Sequence, residues 1–517
     1  MKEEALPILS KFNPWWQGKP IEDLPSWKRA KYEELKLWVF NPPSKRAVLL
    51  SGPRQVGKTT LILQAIEELL DQGISPKNIL YISFDHPLFR AANPDDILEA
   101  WRELETKDEG PEYLFLDEAH FVTDFGTWVK HQVDFFKKRR IIFTGSATPL
   151  IEADQESGVG RWHSIRISTL SFHEYLKIKK LSFPHIPKVS SFSSLLECTK
   201  GELHKLSEGA SELVGYFHEY LTKGGFPQTA LVDSVTQAQR LLREDIIDKV
   251  LKRDLTTLFG VRRVLELEQT FIYLCMHDGG LYDPVNLSKS LGVSKPTIQN
   301  FIDLLECAHL VQRVPPFGYG KEIIRARQKI YLADPSIAPS ILLKGKTLFE
   351  DPKAISQAVE TAILSHLETL DPIKVSYWKG DKDKEVDFIF EAEGKVIPIE
   401  VKYQSQIKPK LHTEGLVQFC IPKRLQNLRF CQSERAKFNS LEAAPIQVNS
   451  CDAEGVKGGD AHEGKSQVLK SFGYNNHELA IIITKSPKDI GLLPNTTFPI
   501  LQIPAPLFCY MLEAFTA

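Results

Sequence analysis

The residues whose types and spacing most directly imply chemistry lie at 52–59. There Gly52, Pro53, Arg54, Gln55, Val56, Gly57, Lys58 and Thr59 spell G-x-x-x-x-G-K-T. An apolar run, Ala47 to Leu50, leads in, and a helical pattern, LILQAIEELL, leads out. Glycines let the backbone turn tightly, so that its N–H groups and the start of the following helix point at phosphate oxygens. Lys58 would reach the β- and γ-phosphates of a nucleotide, and the Thr59 hydroxyl would sit on Mg²⁺. Thr60 completes the binding stretch. The expected cofactors are ATP and Mg²⁺.

A second signal follows in YLFLDEAH, where four apolar residues run into Asp117 and Glu118. Asp117 would hold Mg²⁺ through its water shell, and Glu118 would polarise the attacking water. In IIFTGSAT, a buried strand ends in hydroxyls, and Thr144 or Ser146 either senses the γ-phosphate or satisfies its local turn. Arg161 stands before the last strand of this region. It either stabilises phosphoryl charge, in its own subunit or in a neighbouring copy of a homo-oligomer, or is an ordinary solvated arginine.

A third constellation lies in 354–403. In EVDFIFE, alternation puts Val386, Phe388 and Phe390 on one face and Asp387 on the other. In VIPIEVKY, Glu400 and Lys402 project together from the polar face. A tight turn at Glu393-Gly394 would pair the two strands and bring Asp387, Glu400 and Lys402 together. Two carboxylates and a lysine are the parts of Mg²⁺-dependent phosphodiester hydrolysis, with Asp387 and Glu400 holding metal and Glu360, on the preceding helix, completing the set. The plainer alternative is an acidic edge hairpin, which Pro398 favours because proline cannot donate within a central ladder.

The elements that must position these groups can be read from periodicity. Strands are expected at 46–51, 79–84, 113–117, 140–144 and 163–168, alternating with helices as a parallel sheet requires. Before them, residues 1–45 carry an aromatic knot, Asn13-Pro14-Trp15-Trp16, and an amphipathic helix, both expected to pack onto this domain (46–180). Residues 181–260 read as a linker and helical segment. Residues 261–335 resemble a winged helix-turn-helix, in which Lys295, Thr297 and Gln299 at the start of its third helix would read a DNA groove. Residues 350–517 form the last domain, with a polar insertion at about 430–476.

Composition sets bounds. At 517 residues the chain exceeds one core, and 42% hydrophobic with 25% charged residues is the balance of a globular protein. A net charge of −2 excludes a globally basic nucleic-acid binder, so any DNA contact must be a local patch. Seven scattered cysteines with no C-x-x-C pair argue against a zinc ribbon or disulfide framework and fit a reducing cytoplasm. Neither a signal peptide nor a membrane span is expected.

Together GPRQVGKTT, YISFD, YLFLDEAH and FTGSAT, then GR and LSFHEYL, resemble the prokaryotic AAA+-type ATPases that carry a C-terminal domain of unknown function. The resemblance continues through EYLTKGGFPQ, IIDKVLKRDL, KIYLADP, YWKGDKDKEVDFIF and IPIEVKY. It implies an α/β multidomain protein: a P-loop NTPase parallel sheet, a helical and winged-helix middle, and a C-terminal domain similar to the PD-(D/E)xK nuclease fold. On that likeness Glu360, Asp387, Glu400 and Lys402 occupy the motif positions. The implied function is ATP hydrolysis coupled to action on duplex or branched DNA, with metal-dependent cleavage where the last site is active. The alternative is a nucleotide-dependent switch that binds protein partners and carries an inactive nuclease-like domain.

Overall fold

The computed structural model describes residues 2–104, 109–145, 160–181, 186, 193–318, 323, 326–370, 373–392, 395–404, 406–420, 479–494, 496 and 498–514. Ser146, the Glu393-Gly394 turn and the insertion at 430–476 lie outside the described residues, as does most of the segment 182–192.

Five strands build the first sheet: β1 (Ala47–Ser51), β2 (Ile79–Ser83), β3 (Glu112–Asp117), β4 (Arg139–Gly145) and β5 (Trp162–Arg166). All pairings are parallel, in the order β2-β3-β4-β1-β5. Both faces are covered, which explains the continuous apolar runs. Val48, Leu50, Ile142 and Ile165 pack toward Leu61, Ile62 and Ile66 of the helix Lys58–Asp71. Leu49, Leu80, Leu116 and Phe143 pack on the other side against Ile97, Trp101 and Val129.

The N-terminal arm closes this sheet. β2 is an edge strand, whose open backbone groups would otherwise invite another chain. The side-chain amide of Asn13 accepts from Tyr81 N at 2.7 Å and donates to Tyr81 O at 2.9 Å. Trp16 Nε1 donates to Ile79 O at 2.9 Å, and Trp15 is buried beside it. The aromatic knot therefore acts as a substitute strand.

The middle of the chain is helical, with two consecutive π-helical stretches, Leu242–Ile247 and Lys249–Asp254. Three helices (Val264–Met276, Pro284–Leu291, Lys295–Cys307) then combine with β6 (Gly280–Leu281), β7 (Val311–Val314) and β8 (Lys329–Leu332). These three strands form an antiparallel sheet in the order β6-β8-β7. The third of these helices starts on a polar cap: Ser294 Oγ accepts from Thr297 N, and Pro296 falls in the first turn.

The last domain holds β9 (Lys374–Lys379), β10 (Glu385–Ala392), β11 (Lys395–Lys402), β12 (Ala480–Thr484), β13 (Gly491–Leu492) and β14 (Ile500–Pro504). Their order is β13-β14-β12-β11-β10-β9, antiparallel at both ends and parallel between β11, β12 and β14. Helices Pro352–Leu367 and Ala505–Ala514 contribute to the core on one face, and Leu416 and Cys420 to that on the other.

Two expectations for this domain are corrected. β11 is interior, not an edge: its pairing with β12 begins at Ile399, one residue past Pro398, so the missing proline N–H leaves the parallel ladder intact. Nor does Val386 share a face with Phe388. The register of β10 on β9 shifts between Val386 and Ile389. These two pack with Ile482 and Ile500, whereas Phe388 packs with Ile399 and Val401. Such a shift re-aims the side chains within it, and Asp387 is one of them.

Candidate functional site

Register explains how residues far apart in sequence meet at the carboxyl end of the first sheet. Leu50 of β1 lies opposite Thr144 of β4, and Phe143 lies opposite Leu116 of β3. Thr144 thus lies near the end of β4, beside β1 and its loop, and Asp117 ends β3, one strand further out. Thr59 Oγ1, from the first helical turn, donates to Asp117 Oδ2 at 2.7 Å. Tyr81 donates to the same oxygen at 3.0 Å. Thr144 donates to Asp117 Oδ1 and accepts from Glu118 N at 2.8 Å. Burial, and then the charge of Glu118, push the Asp117 carboxyl up, while the three hydroxyls oppose them.

The Thr144 hydroxyl thus links the two neighbouring acidic residues, donating to the Asp117 carboxylate and accepting from the Glu118 backbone. Glu118 itself adopts φ 53° and ψ 43°, a left-handed conformation uncommon for a non-glycine residue. His120 stands 3.3 Å from Glu118 Oε2. Burial, together with Lys58 and Arg54, pulls this histidine down to about 3, so it is neutral at physiological pH. It was not anticipated from sequence, where it reads as the end of an apolar strand motif.

The loop is shaped to admit phosphate. Lys58 Nζ donates to Gly52 O at 2.8 Å and to Pro53 O at 2.7 Å. Gly57 (φ 96°) begins the helix. Gly52 (φ 150°) passes so close to β5 that an added Cβ would lie 2.0 Å from Ile167 O. Backbone cannot yield there, so Gly52→Ala should abolish nucleotide binding in a calorimetric titration. Gly201→Ala, which meets nothing within 4 Å, should be neutral or stabilising by up to about 1 kcal/mol. Unchanged binding by Gly52→Ala would remove the close-approach account.

Two long-range partners flank the loop. Arg54 Nη1 donates to Asp254 Oδ1 at 2.9 Å, tying the phosphate loop to the end of the π-helical stretch. Burial pushes Asp254 up to about 6, with Arg54 opposing it. On the other side Arg29 is buried and donates to Val56 O (3.0 Å), Ser168 O (2.7 Å), Thr169 O (3.1 Å) and both oxygens of Glu174.

Arg161 is placed elsewhere. β5 runs parallel to β1 with Trp162 opposite Ala47, so Arg161 lies at the far end of the strands from the loop. It pairs with Asp134 at 2.6 Å. A role toward the phosphates of its own subunit is therefore corrected.

The donor chemistry of the first site fits Mg²⁺: a hydroxyl and a carboxylate oxygen converge beside a phosphate loop, and hard oxygen donors suit that ion. The second acidic set is different. Asp387 Oδ2 accepts from Val401 N at 2.9 Å. Lys402 Nζ lies 3.9 Å from the same oxygen and pairs more closely with Glu400. Burial, and then Asp387, push up both Glu360 and Glu400. Burial alone would lower Lys402, but Asp387 and Glu400 raise it. Asp387, Glu400 and Lys402 do converge. Yet a second lysine, Lys329 of β8, lies 3.6 Å from Asp387 Oδ1 and pairs with Glu385. Among the described residues no group of three or more His, Cys, Asp or Glu is disposed to hold a metal ion. Asp387 is thus flanked by two lysines, Lys329 and Lys402.

Sheet order, loop and acidic strand end fit a P-loop NTPase fold for the stretch spanning residues 44–176. Comparison with known proteins agrees: this stretch matches the family described as "AAA domain". Residues 214–347 and 356–447 match two domains of unknown function, DUF8612 and DUF4143. An uncharacterized protein of Haemophilus influenzae is 25% identical over 365 residues, covering 69% of this chain and 82% of its own. One from Methanocaldococcus jannaschii is 24% identical over 61% of this chain and 66% of its own. Another, from Mycobacterium tuberculosis, is 24% identical over 69% of this chain and 70% of its own. Among solved structures, C. elegans PCH-2 (13% identity, 39% of this chain, 57% of that one) and AMPPCP-bound DnaA from Aquifex aeolicus (14%, 55%, 93%) each give a TM-score of 0.25. Superpositions that loose bear on neither fold nor function. No helix among the described residues is long and apolar enough to cross a membrane.

Proposed function

We propose that the protein is an ATP-hydrolysing AAA-type ATPase that uses its nucleotide cycle to act on DNA by binding, remodelling or translocation. The observation that carries the enzymatic half is the row Thr59–Asp117–Thr144–Glu118, three side chains and the Glu118 backbone N–H joined beside the phosphate loop. Loop N–H groups and Lys58 hold the β- and γ-phosphates. Thr59 and Asp117 would hold Mg²⁺, which when bound neutralises phosphoryl charge. Glu118, whose backbone is held by Thr144 and whose carboxylate stands 3.3 Å from neutral His120, orients the attacking water. Should the chain assemble with itself, Arg161 is free of the loop in its own subunit and could serve a neighbour.

The DNA half is supported by the three-helix and three-strand module, whose third helix begins with exposed Lys295 and half-buried Thr297 and Gln299. Exposed Lys289 lies on the helix before it. The prediction is a Mg²⁺-dependent ATPase accelerated by duplex or four-way DNA and lost in Lys58→Ala. Rates measured with and without duplex, single-stranded and four-way DNA test it. Absence of both binding and stimulation at low salt would leave only the ATPase.

A second reading, a nucleotide-dependent switch for a protein partner, is favoured by one observation. Leu265, Ile272 and Met276, spaced by seven and four, are 72%, 41% and 47% exposed on the helix Val264–Met276. Residues so spaced share one side of a helix, and an exposed apolar patch often marks a protein contact. Salt separates the readings: DNA affinity that falls steeply with ionic strength supports the first, and DNA binding that is absent or flat supports the second.

A further inference from the structure

We propose that Lys329, carried by β8 of the middle module, is the resident cation of the C-terminal acidic site, so that no divalent ion loads between Asp387 and Glu400 while Lys329 is in place. The lysine is not a surface residue that happens to lean in. Its side chain is 4% exposed, pairs with Glu385 and lies 3.6 Å from Asp387 Oδ1. The charge beside Asp387 is thus supplied from two sides, by Lys402 of the same domain and by Lys329 of another.

The strand that delivers Lys329 is docked firmly. Asp278, just before β6, accepts from Thr361 Oγ1 at 2.6 Å, and its carbonyl accepts from Gln357 Nε2 at 2.9 Å. Both partners belong to the helix that carries Glu360. Tyr331, two residues along β8, packs its ring 5.4 Å from that of Phe388. The chain leaving β7 continues along edge strand β9: Tyr377 N donates to Pro315 O at 2.9 Å, and Phe317 N donates to Tyr377 O at 2.6 Å. Tyr377 Oη also donates to Arg327 O at 2.6 Å, two residues before Lys329. Lys329 is held by both modules at once.

Among the described residues Glu400 Oε2 is buried with no hydrogen bond, although Glu400 Oε1 pairs with Lys402. A buried carboxylate oxygen of this kind is a ligand in waiting. The set therefore has unsatisfied capacity for a cation but already has an ammonium group beside Asp387. Adding a divalent ion next to the buried Lys329 would set like charges together, which disfavours loading.

The test uses Mn²⁺ and the 517-residue chain. Wild type should bind Mn²⁺ at the acidic site only in the millimolar range or weaker, measured by paramagnetic resonance with Lys58→Ala/Asp117→Asn removing the nucleotide-site metal. In that background Lys329→Gln should bind at least tenfold more tightly, and adding Asp387→Asn should erase the gain. Lys329→Met repeats the measurement with an apolar replacement, and circular dichroism checks that each variant folds. Micromolar Mn²⁺ binding with Lys329 intact, lost on Asp387→Asn, would overturn the proposal even if neither Lys329 variant folds. Equal affinity with and without Lys329 would overturn it as well. Neither outcome touches the ATPase reading, whose site is the phosphate loop.

Discussion

Glu118→Gln should bind Mg·ATP with nearly wild-type affinity yet hydrolyse it about 10²–10⁴ times more slowly, the range typical of a positioned proton acceptor. The glutamine keeps the shape and the backbone bond from Glu118 N to Thr144, so the loop and the Asp117 row remain in place. What it loses is the carboxylate that draws a proton from water. Lys58→Ala differs, because on the proposed function Lys58 would bind phosphate in both ground and transition states, so its loss should appear in affinity as well as rate. Single-turnover hydrolysis alongside equilibrium binding of a fluorescent nucleotide separates the two. If Glu118→Gln turned over at wild-type rate, the attacking water would have to be oriented by another group, and His120, 3.3 Å away, would be the first to test.

Arg29→Met should lower the unfolding free energy by about 3–5 kcal/mol, because it strands the buried carboxylate of Glu174 without its partner. Arg29 and Glu174 are 8% and 5% exposed and meet at 2.6 Å, so solvent offers the orphaned charge little relief. Glu174 also accepts from Ala30 N and Ser171 N, bonds that a displaced carboxylate would lose. Pairing the change with Glu174→Gln should restore part of the loss, since an amide is far cheaper to bury than a lone charge. Denaturant titration of the two variants checks this. Nucleotide affinity should fall with Arg29→Met too, because the guanidinium holds the Val56 carbonyl inside the phosphate loop. A loss under about 1 kcal/mol would show that the pair contributes no more than a surface bridge.

How much of this was legible in the sequence depends on how local each determinant is. The phosphate loop, the acidic strand end and the five strands were readable because each is written in consecutive residues. Expected strand limits such as 79–84 and 140–144 differ from Ile79–Ser83 and Arg139–Gly145 only at their ends. The partners of the site were not readable. Arg54 meets Asp254 across 200 positions, and Arg29 meets Glu174 across 145. Neither has a periodic signature. Tyr81 looked like one more apolar strand residue until β2 was placed beside β3. Arg161 precedes a strand parallel to β1, whereas the loop follows β1, so of its readings the one toward its own subunit's phosphates is excluded by strand direction. At the acidic site, strict alternation failed at the register shift in β10, and nothing near Asp387 in sequence announces a lysine from β8.

The N-terminal arm bears on where this molecule can be divided. Likeness to AAA domains begins at residue 44, which invites excision there. A fragment so trimmed would lose Asn13, Trp15 and Trp16 from β2 and Arg29 from the loop, baring a flat apolar strand of Ile79, Leu80, Tyr81 and Ile82. Such a strand pairs readily with its own kind. The smallest unit that keeps this ATPase core monodisperse in a test tube is therefore longer at its front than homology alone would draw it.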